Sequence, residues 1–201
     1  MAKQVKQGFG LDQVILIPAA LPPHKMPGGV VAAENRLQMI LLAIEDTAGL
    51  GVSDVELKRT GLSYTIDTVQ HFKNTLAGNA QIFLIMGLDA VLEIDSWKSY
   101  DKLLEKIAFI IVNRPLGGHS DNTGWKRLEQ YLISRISPDY TFHAFQSCYR
   151  RPGCQPIHVC QIDALDVSST RIREMIKKDR PIDRLVPPKV AQYIISKGLY
   201  S

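Results

Sequence analysis

The sequence of 201 residues contains no apolar run near the ~18 consecutive residues of a membrane span. It also lacks the charged-then-apolar start of a secretory signal. Both absences argue against a membrane or secreted protein and predict a cytoplasmic one. The formal net charge of +4 is only mildly basic. It suits an anionic small molecule and gives weak support for a nucleic-acid partner, so we expect neither nucleic acid nor a membrane surface as a partner.

Cysteine is scarce. The chain has three cysteines, Cys148, Cys154 and Cys160, which is an odd number without C-x-x-C spacing. His143 and His158 lie nearby, but the spacing favours reduced thiols over a zinc site. We therefore expect no protein-bound metal, and the role of the three cysteines stays open.

The remaining composition is ordinary for a globular protein, with 45% hydrophobic and 22% charged residues. The length predicts one domain spanning residues 1–201. Short apolar runs of the buried-strand type alternate with segments of helical periodicity. Predicted strands are 14–18, 81–87, 108–113 and 157–162, and predicted helices are 35–47, 65–76, 99–107, 125–134, 170–178 and 187–197. Residues 147–155 are predicted to form a polar loop. This alternation predicts an α/β fold with a doubly wound parallel sheet.

A group of polar residues opens the first of the two C-terminal helices. Ser168, Ser169 and Thr170 supply hydroxyl groups at its start, and Arg171 and Arg173 follow within one turn. Free N–H groups at a helix N-terminus attract anions, and the planar guanidinium group matches phosphate oxygens. The pattern predicts a phosphate site. The plainer interpretation is that Ser168 or Ser169 only caps the helix.

Polar residues also follow the predicted strands, where ligands of doubly wound sheets bind. His24 and Lys25 come after the first strand, with solvated surface cations as the alternative interpretation. Gly87 and Asp89 follow the second long strand, where a backbone close to a ligand and a carboxylate for ribose hydroxyls are useful. Asn113 ends the third.

Trp97 lies eight residues after Asp89 and offers a ring for stacking, with core packing as the alternative. Several segments together resemble bacterial nicotinate-nucleotide adenylyltransferases. They are LKRTGLSYT (57–65), PPHK (22–25), GLDA (87–90) with Trp97, VSSTRIR (167–173) and the closing GLY (198–200). The resemblance runs in order from about residue 10 to the end of the chain.

The resemblance implies a nucleotidyltransferase variant of the Rossmann-like fold. It also implies transfer of the adenylyl group of ATP to nicotinate mononucleotide, with release of pyrophosphate and formation of deamido-NAD. Magnesium would accompany ATP and be held mostly by phosphates and water. No protein nucleophile is needed, because the mononucleotide phosphate can attack the α-phosphorus directly. The sequence indeed shows no convincing Ser-His-Asp set and no paired carboxylates.

The same resemblance assigns residues to both substrates. The ATP-binding residues would be His24, Lys25, Gly87, Asp89, Ser168, Ser169, Thr170 and Arg173. The residues around nicotinate mononucleotide would be Tyr64, Thr65, Trp97 and Lys98, with Trp97 stacked on the pyridine ring. The catalytic residue is left open, and Lys25 is the one candidate.

The sequence departs from the family at its start. The family's first strand, its Gly-Gly-Thr/Ser-Phe-x-Pro loop and its His-x-Gly-His motif are absent, and residues 1–10 look like the latter half of the first helix. We therefore expect that this sequence is truncated and lacks the first central strand, and that the physiological protein begins upstream of Met1. We expect the truncated chain to have weak activity.

Two alternatives stay open. One is a non-catalytic nucleotide-binding relative, and the other is an adenylyltransferase for a related phosphate substrate such as nicotinamide mononucleotide or phosphopantetheine. The choice of acid over amide and a homo-oligomeric state are also left open.

Overall fold

The computed structural model describes residues 1–21, 31–113, 123–162 and 167–200, and the chain forms two compact units. One unit is Met1–Ser63 with Leu165–Ser201, and the other is Tyr64–Ala164. Within the described ranges, no helix combines the length and the apolar character that crossing a bilayer requires. The expectation of a single domain over the whole chain stays a prediction.

The first unit is a small parallel sheet with four helices. Its elements are α1 (Ala2–Gly8), β1 (Val14–Leu16), α2 (Ala33–Ile44), β2 (Leu50–Val52), α7 (Ser169–Lys177) and α8 (Pro188–Ser196). β1 and β2 run parallel, with Val14 opposite Leu50 and Leu16 opposite Val52. The predicted strand and the three predicted helices of this unit are confirmed, whereas β2 was not predicted.

Helix α8 anchors the C-terminal part of the first unit. Its residues Val190, Ala191 and Ile194 are buried and pack in one cluster with Ile182. Pro188 is in the first turn, where no N–H donor is required, as predicted. The side chains of α2 and α7 that pack on this cluster are Met39, Leu42, Ile172, Met175 and Ile176. The position of α7 is therefore fixed by its apolar face.

The second unit holds a five-stranded sheet. Its elements are α3 (Thr65–Thr75), β3 (Phe83–Gly87), α4 (Leu88–Val91), α5 (Tyr100–Lys106), β4 (Ala108–Asn113), α6 (Thr123–Tyr131), β5 (Thr141–His143), β6 (Cys148–Arg150) and β7 (Ile157–Gln161). The strand order is β3-β4-β7-β6-β5. The parallel pairing of β3, β4 and β7 confirms the predicted parallel sheet.

The main core cluster of the second unit packs on one face of this sheet, and β4 is buried on both faces. Strand β4 is buried from Ala108 to Val112, as expected for a central parallel strand with a continuous apolar run. The sheet residues of the core cluster are Met86, Phe109, Ile111, Tyr149 and Ile157, and its helical residues include Ile66, Val69, Leu103, Leu104 and Leu128. This packing fixes the starts of α3 and α5, where several predicted site residues lie.

The sheet is not parallel throughout, and this differs from the sequence prediction. β5 and β6 pair antiparallel, and β6 pairs antiparallel with β7. β6 occupies part of the predicted loop at 147–155. A contact between aromatic side chains on neighbouring strands stabilises this pairing: the ring centres of Phe142 and Tyr149 lie 4.9 Å apart. The surrounding sequence is polar and does not show an apolar strand pattern.

Candidate nucleotide-binding site

The start of α3 presents backbone N–H groups beside Thr65. Tyr64 is the N-cap residue in an extended conformation and makes no side-chain cap hydrogen bond. The N–H groups of Asp67 and Thr68 donate to the Tyr64 carbonyl oxygen at 3.1 and 3.4 Å. The N–H groups of Thr65 and Ile66 precede these bonds and point out of the helix start. This is an arrangement that attracts an anion.

Lys98 brings a positive charge to the same place. Its ammonium nitrogen lies 4.4 Å from the centre of the Tyr64 ring and 3.3 Å from Asp67 Oδ2. Trp97 is half-buried and packs on the same core cluster as Tyr64. Tyr64, Thr65, Trp97 and Lys98, the four residues predicted around the pyridine nucleotide, therefore lie on two adjoining segments at one place in the second unit. We call these four residues the α3 cluster. Asp67, which holds Lys98, was missed by the sequence reasoning.

A network of three side chains holds the turn that leads into Trp97. Tyr131 donates a 2.7 Å hydrogen bond to Asp95 Oδ1, and Arg135 lies 2.9 Å from Asp95 Oδ2. The Tyr131 hydrogen bond is the largest cause of a lowered pKa at Asp95. Burial, then the bond to Asp95, raise the pKa of Tyr131 to about 12. The network keeps Tyr131 protonated and Asp95 charged. It thereby attaches the turn before Trp97 to the end of α6 and to the π-helical turn that follows α6.

Glycines and polar residues meet at the carboxyl ends of β3 and β4, as predicted. Gly87 ends β3 and is the N-cap of α4, and Asp89 is an exposed residue of the first turn of α4. Asn113 ends β4, and a side chain added at Gly124 would put its first carbon 2.7 Å from the Asn113 amide nitrogen. The start of α6 therefore lies against the Asn113 side chain at the end of β4, and a larger residue at position 124 would require that side chain to move.

The residues predicted to bind phosphate lie at the start of α7, in the first unit. Ser168 is the N-cap, and its hydroxyl accepts a 3.1 Å hydrogen bond from the Arg171 N–H. Arg173 donates to the Thr170 hydroxyl at 3.2 Å. Ser169 is the first residue of the helix, and Ser168, Ser169 and Thr170 are exposed. Ser168 thus caps the helix, as the plainer interpretation held, while the exposed Thr170 and the half-buried Arg173 are joined by a hydrogen bond.

His24 and Lys25 lie outside the described residues. The chain on either side of them is held by Arg36, which sequence reasoning missed. Its Nε donates to the Val31 carbonyl oxygen at 3.1 Å, and its Nη2 donates to the carbonyl oxygens of Ala19 and Ala20. One guanidinium group therefore ties the residues after β1 to Val31, two residues before the start of α2. No sequence pattern shows this, because the acceptors are backbone atoms.

A cleft of about 500 Å³ also lies in the second unit, between α3 and α5. Its lining includes Lys98 but not Tyr64, Thr65 or Trp97. It is therefore a neighbour of the α3 cluster and does not coincide with it. Across the described ranges, no group of three or more His, Cys, Asp or Glu side chains is placed to hold a metal ion.

Comparison with known proteins gives one consistent family. A cytidylyltransferase-like family model matches residues 1–175. The probable nicotinate-nucleotide adenylyltransferase of Desulfatibacillum aliphaticivorans is 36% identical and covers 100% of this chain and 91% of that protein. The corresponding protein of Moorella thermoacetica is 39% identical, over 99% of this chain and 82% of that protein.

A solved structure agrees with the fold. The nicotinic acid mononucleotide adenylyltransferase of Plasmodium falciparum, in complex with NaAD, superposes with a TM-score of 0.67 at 19% identity. The match covers 98% of this chain and 89% of that one. At this identity the similarity shows the fold alone, and it confirms the predicted Rossmann-like nucleotidyltransferase class.

Proposed function

We propose that the α3 cluster binds nicotinate mononucleotide, since the chain belongs to the nicotinate-nucleotide adenylyltransferase family. The chain is thus an adenylyltransferase of NAD biosynthesis. The reaction joins this mononucleotide to the adenylyl group of ATP and releases pyrophosphate. The observation that carries the site proposal is the position of Lys98 over the Tyr64 ring, beside the start of α3.

The chemistry of the α3 cluster fits a flat aromatic acid. The pyridine ring would stack on Trp97, which itself packs against the core cluster of the second unit. The nicotinate carboxylate would accept from the N–H groups at the start of α3 and from the Thr65 hydroxyl, with Lys98 as the nearby cation. An amide in place of the carboxylate would lose the charge that these groups favour. The proposal therefore includes a preference for the acid.

The phosphates of ATP would bind at the start of α7. The N–H groups there, the hydroxyls of Ser169 and Thr170 and the guanidinium of Arg173 are donors of the kind that phosphate oxygens accept from. Asp89 and Gly87 at the end of β3 would contact the nucleotide, and His24 with Lys25 would meet its phosphates. These assignments rest on the family resemblance.

The residues then act by alignment and charge stabilisation. A phosphate oxygen of the mononucleotide forms the new bond to the α-phosphorus of ATP while the bond to pyrophosphate breaks, so no protein nucleophile is required. Cationic and N–H donors stabilise the charge on the transferring group. Lys25 is the one candidate for a catalytic role.

A divalent metal accompanies ATP in nucleotidyltransferases, and we propose magnesium here. The absence of a carboxylate or histidine cluster in the described residues suits an ion held mainly by phosphates and water. A cytoplasmic location is part of the same proposal and is in keeping with the relatives above.

The test is pyrophosphate release from ATP, measured separately with nicotinate mononucleotide, nicotinamide mononucleotide and phosphopantetheine. Titration calorimetry with each phosphate substrate accompanies it, because a low rate alone does not report on binding. We expect tightest binding and fastest release with the acid, and deamido-NAD as the product. Preference for either other substrate would overturn the substrate assignment, and binding without product would favour the non-catalytic alternative.

A further inference from the structure

A second chemical feature lies in the second unit, on the turn between β6 and β7. The N–H of Cys154 donates to the Arg151 carbonyl oxygen at 3.2 Å, which closes a four-residue turn with Pro152 and Gly153 at its centre. Gly153 has a φ of +75°, as the third residue of a type II turn requires. The turn holds the side chains of its first and last residues on a fixed backbone.

Those two side chains are in direct contact. Arg151 Nε lies 3.2 Å and Nη2 lies 2.8 Å from Cys154 Sγ, and both donate to the sulfur. Cys154 is reduced and half-buried, so small reagents can reach it. Two guanidinium N–H groups aimed at one sulfur interact more strongly with a thiolate than with a thiol. The thiolate is the nucleophilic form.

A buried hydroxyl completes the group. Tyr140 is only 2% exposed, and its hydroxyl has no hydrogen-bond partner among the residues that the structure describes. The Arg151 guanidinium lies 5.4 Å from the centre of the Tyr140 ring. Burial chiefly raises the Tyr140 pKa, and the adjoining Cys154 raises it further. If an oxygen atom were added to the sulfur, it could accept a hydrogen bond from this buried Tyr140 hydroxyl.

We propose that Cys154 is a modification site, a thiol that hydroperoxides oxidise to a sulfenic acid, with Arg151 stabilising the thiolate and Tyr140 donating to the new oxygen. The thiolate attacks one peroxide oxygen, the S–O bond forms and the O–O bond breaks. The sulfur loses two electrons, and the leaving hydroxide (or alkoxide, from an organic hydroperoxide) takes up a proton to become water (or an alcohol). A small thiol can then condense with the sulfenic acid to give a mixed disulfide and water.

The other two cysteines are internal controls in the same chain. Cys148 is fully buried, and its sulfur lies 4.0 Å from the Gln146 side-chain oxygen. Cys160 is half-buried, like Cys154, but its contact is a carbonyl oxygen at 4.0 Å, and burial raises the pKa of its thiol. Cys160 is therefore half-buried like Cys154, but among the described residues its sulfur has no guanidinium contact.

The first experiment needs no substitution. The native full chain is treated with limiting iodoacetamide at pH 7, and separately with hydrogen peroxide followed by dimedone. Tandem mass spectrometry then assigns the label to each cysteine, since Cys154 and Cys160 share a tryptic peptide. We expect Cys154 to react about tenfold faster than Cys160 in both reactions. Equal or slower reaction at Cys154 would overturn the proposal.

Two variants separate the proposed roles. Arg151→Met should lower the alkylation rate at Cys154 about tenfold, while Arg151→Lys should retain part of it. Tyr140→Phe should leave the alkylation rate unchanged and shorten the lifetime of the sulfenic acid before it reacts further. An unchanged rate in folded Arg151→Met, checked by circular dichroism, would also overturn the proposal. A lifetime unaffected by Tyr140→Phe would remove Tyr140 from it.

Discussion

The hydroxyl of Tyr131 donates a 2.7 Å hydrogen bond to Asp95, two residues before Trp97. The same hydroxyl oxygen accepts from the Asp95 backbone N–H at 3.2 Å. A single phenol thus holds both the side chain and the backbone of the turn that leads to Trp97 and Lys98. The proposed stacking surface is therefore set by a residue that does not touch the ligand.

The variant Tyr131→Phe tests this positioning role. Removal of the hydroxyl leaves the Asp95 carboxylate with Arg135 alone and frees the turn to move. We expect the Kd of nicotinate mononucleotide to rise about fivefold to tenfold, which corresponds to a net hydrogen-bond contribution of about 1 kcal/mol. The measurement is titration calorimetry. Tyr193→Phe is the control, because it removes the 2.8 Å bond to Asn35 in the first unit. An equal effect on the Kd in both variants would contradict the role.

The same pair makes stability depend on pH at the alkaline end. The Tyr131 pKa is raised to about 12, above its unfolded value of 10.0, so the folded state binds the phenolic proton more tightly. Its contribution is fully present below pH 10 and is lost as the pH rises toward 12. Urea unfolding at pH 8, 10 and 11 should show a smaller alkaline loss in Tyr131→Phe than in the wild type. An equal loss of unfolding free energy between pH 8 and pH 11 in both proteins would contradict this contribution of Tyr131.

Asp95 makes the opposite contribution at low pH. Its folded pKa is lowered below 3.8, so its stabilisation is present above that value and is lost as the pH falls below it.

Trp97 is the proposed stacking surface. Replacement by alanine should raise the Kd of nicotinate mononucleotide about tenfold, because an aromatic contact of this kind contributes roughly 0.5–1.5 kcal/mol beyond its buried area. Trp97→Phe should retain most of the affinity. Trp125 is a matched control, since it packs on the same core cluster and carries no proposed contact. If Trp97→Ala leaves the Kd unchanged, Trp97 has only a packing role.

Arg173 is proposed to hold ATP phosphate. Arg173→Ala should raise the Kd of ATP about tenfold or more, which corresponds to the loss of a hydrogen bond between charged groups. Lys177→Ala is the control, because Lys177 is an exposed cation one turn further along α7. Equal affinities for ATP in both variants would show that Arg173 acts only through its bond to Thr170.

Local patterns explain why much of the fold was predictable. β4 is a continuous apolar run buried on both faces, and α3 buries Ile66 and Val69 at helical spacing. The sequence also shows Ser168 as a helix start, because the capping bond is formed within four residues. In each case the physical signal is short-range.

The features that were missed depend on distant or backbone partners. β2 is the three-residue segment Leu-Gly-Val, which is too short to show a period, and the three residues of β5 are exposed and show no apolar alternation. Tyr131 and Asp95 lie 36 residues apart, and Arg36 binds carbonyl oxygens that every residue has. The grouping of Tyr64 with Lys98 was expected from the family resemblance, and the structure supplies the contact.

The most direct test of the α3 cluster compares one acid with its amide. Nicotinate and nicotinamide mononucleotides are titrated into the wild type and into Lys98→Gln. We expect the wild type to bind the acid about tenfold more tightly and Lys98→Gln to lose most of this preference. Equal affinities in the wild type, or a preference that Lys98→Gln leaves intact, would contradict this expectation.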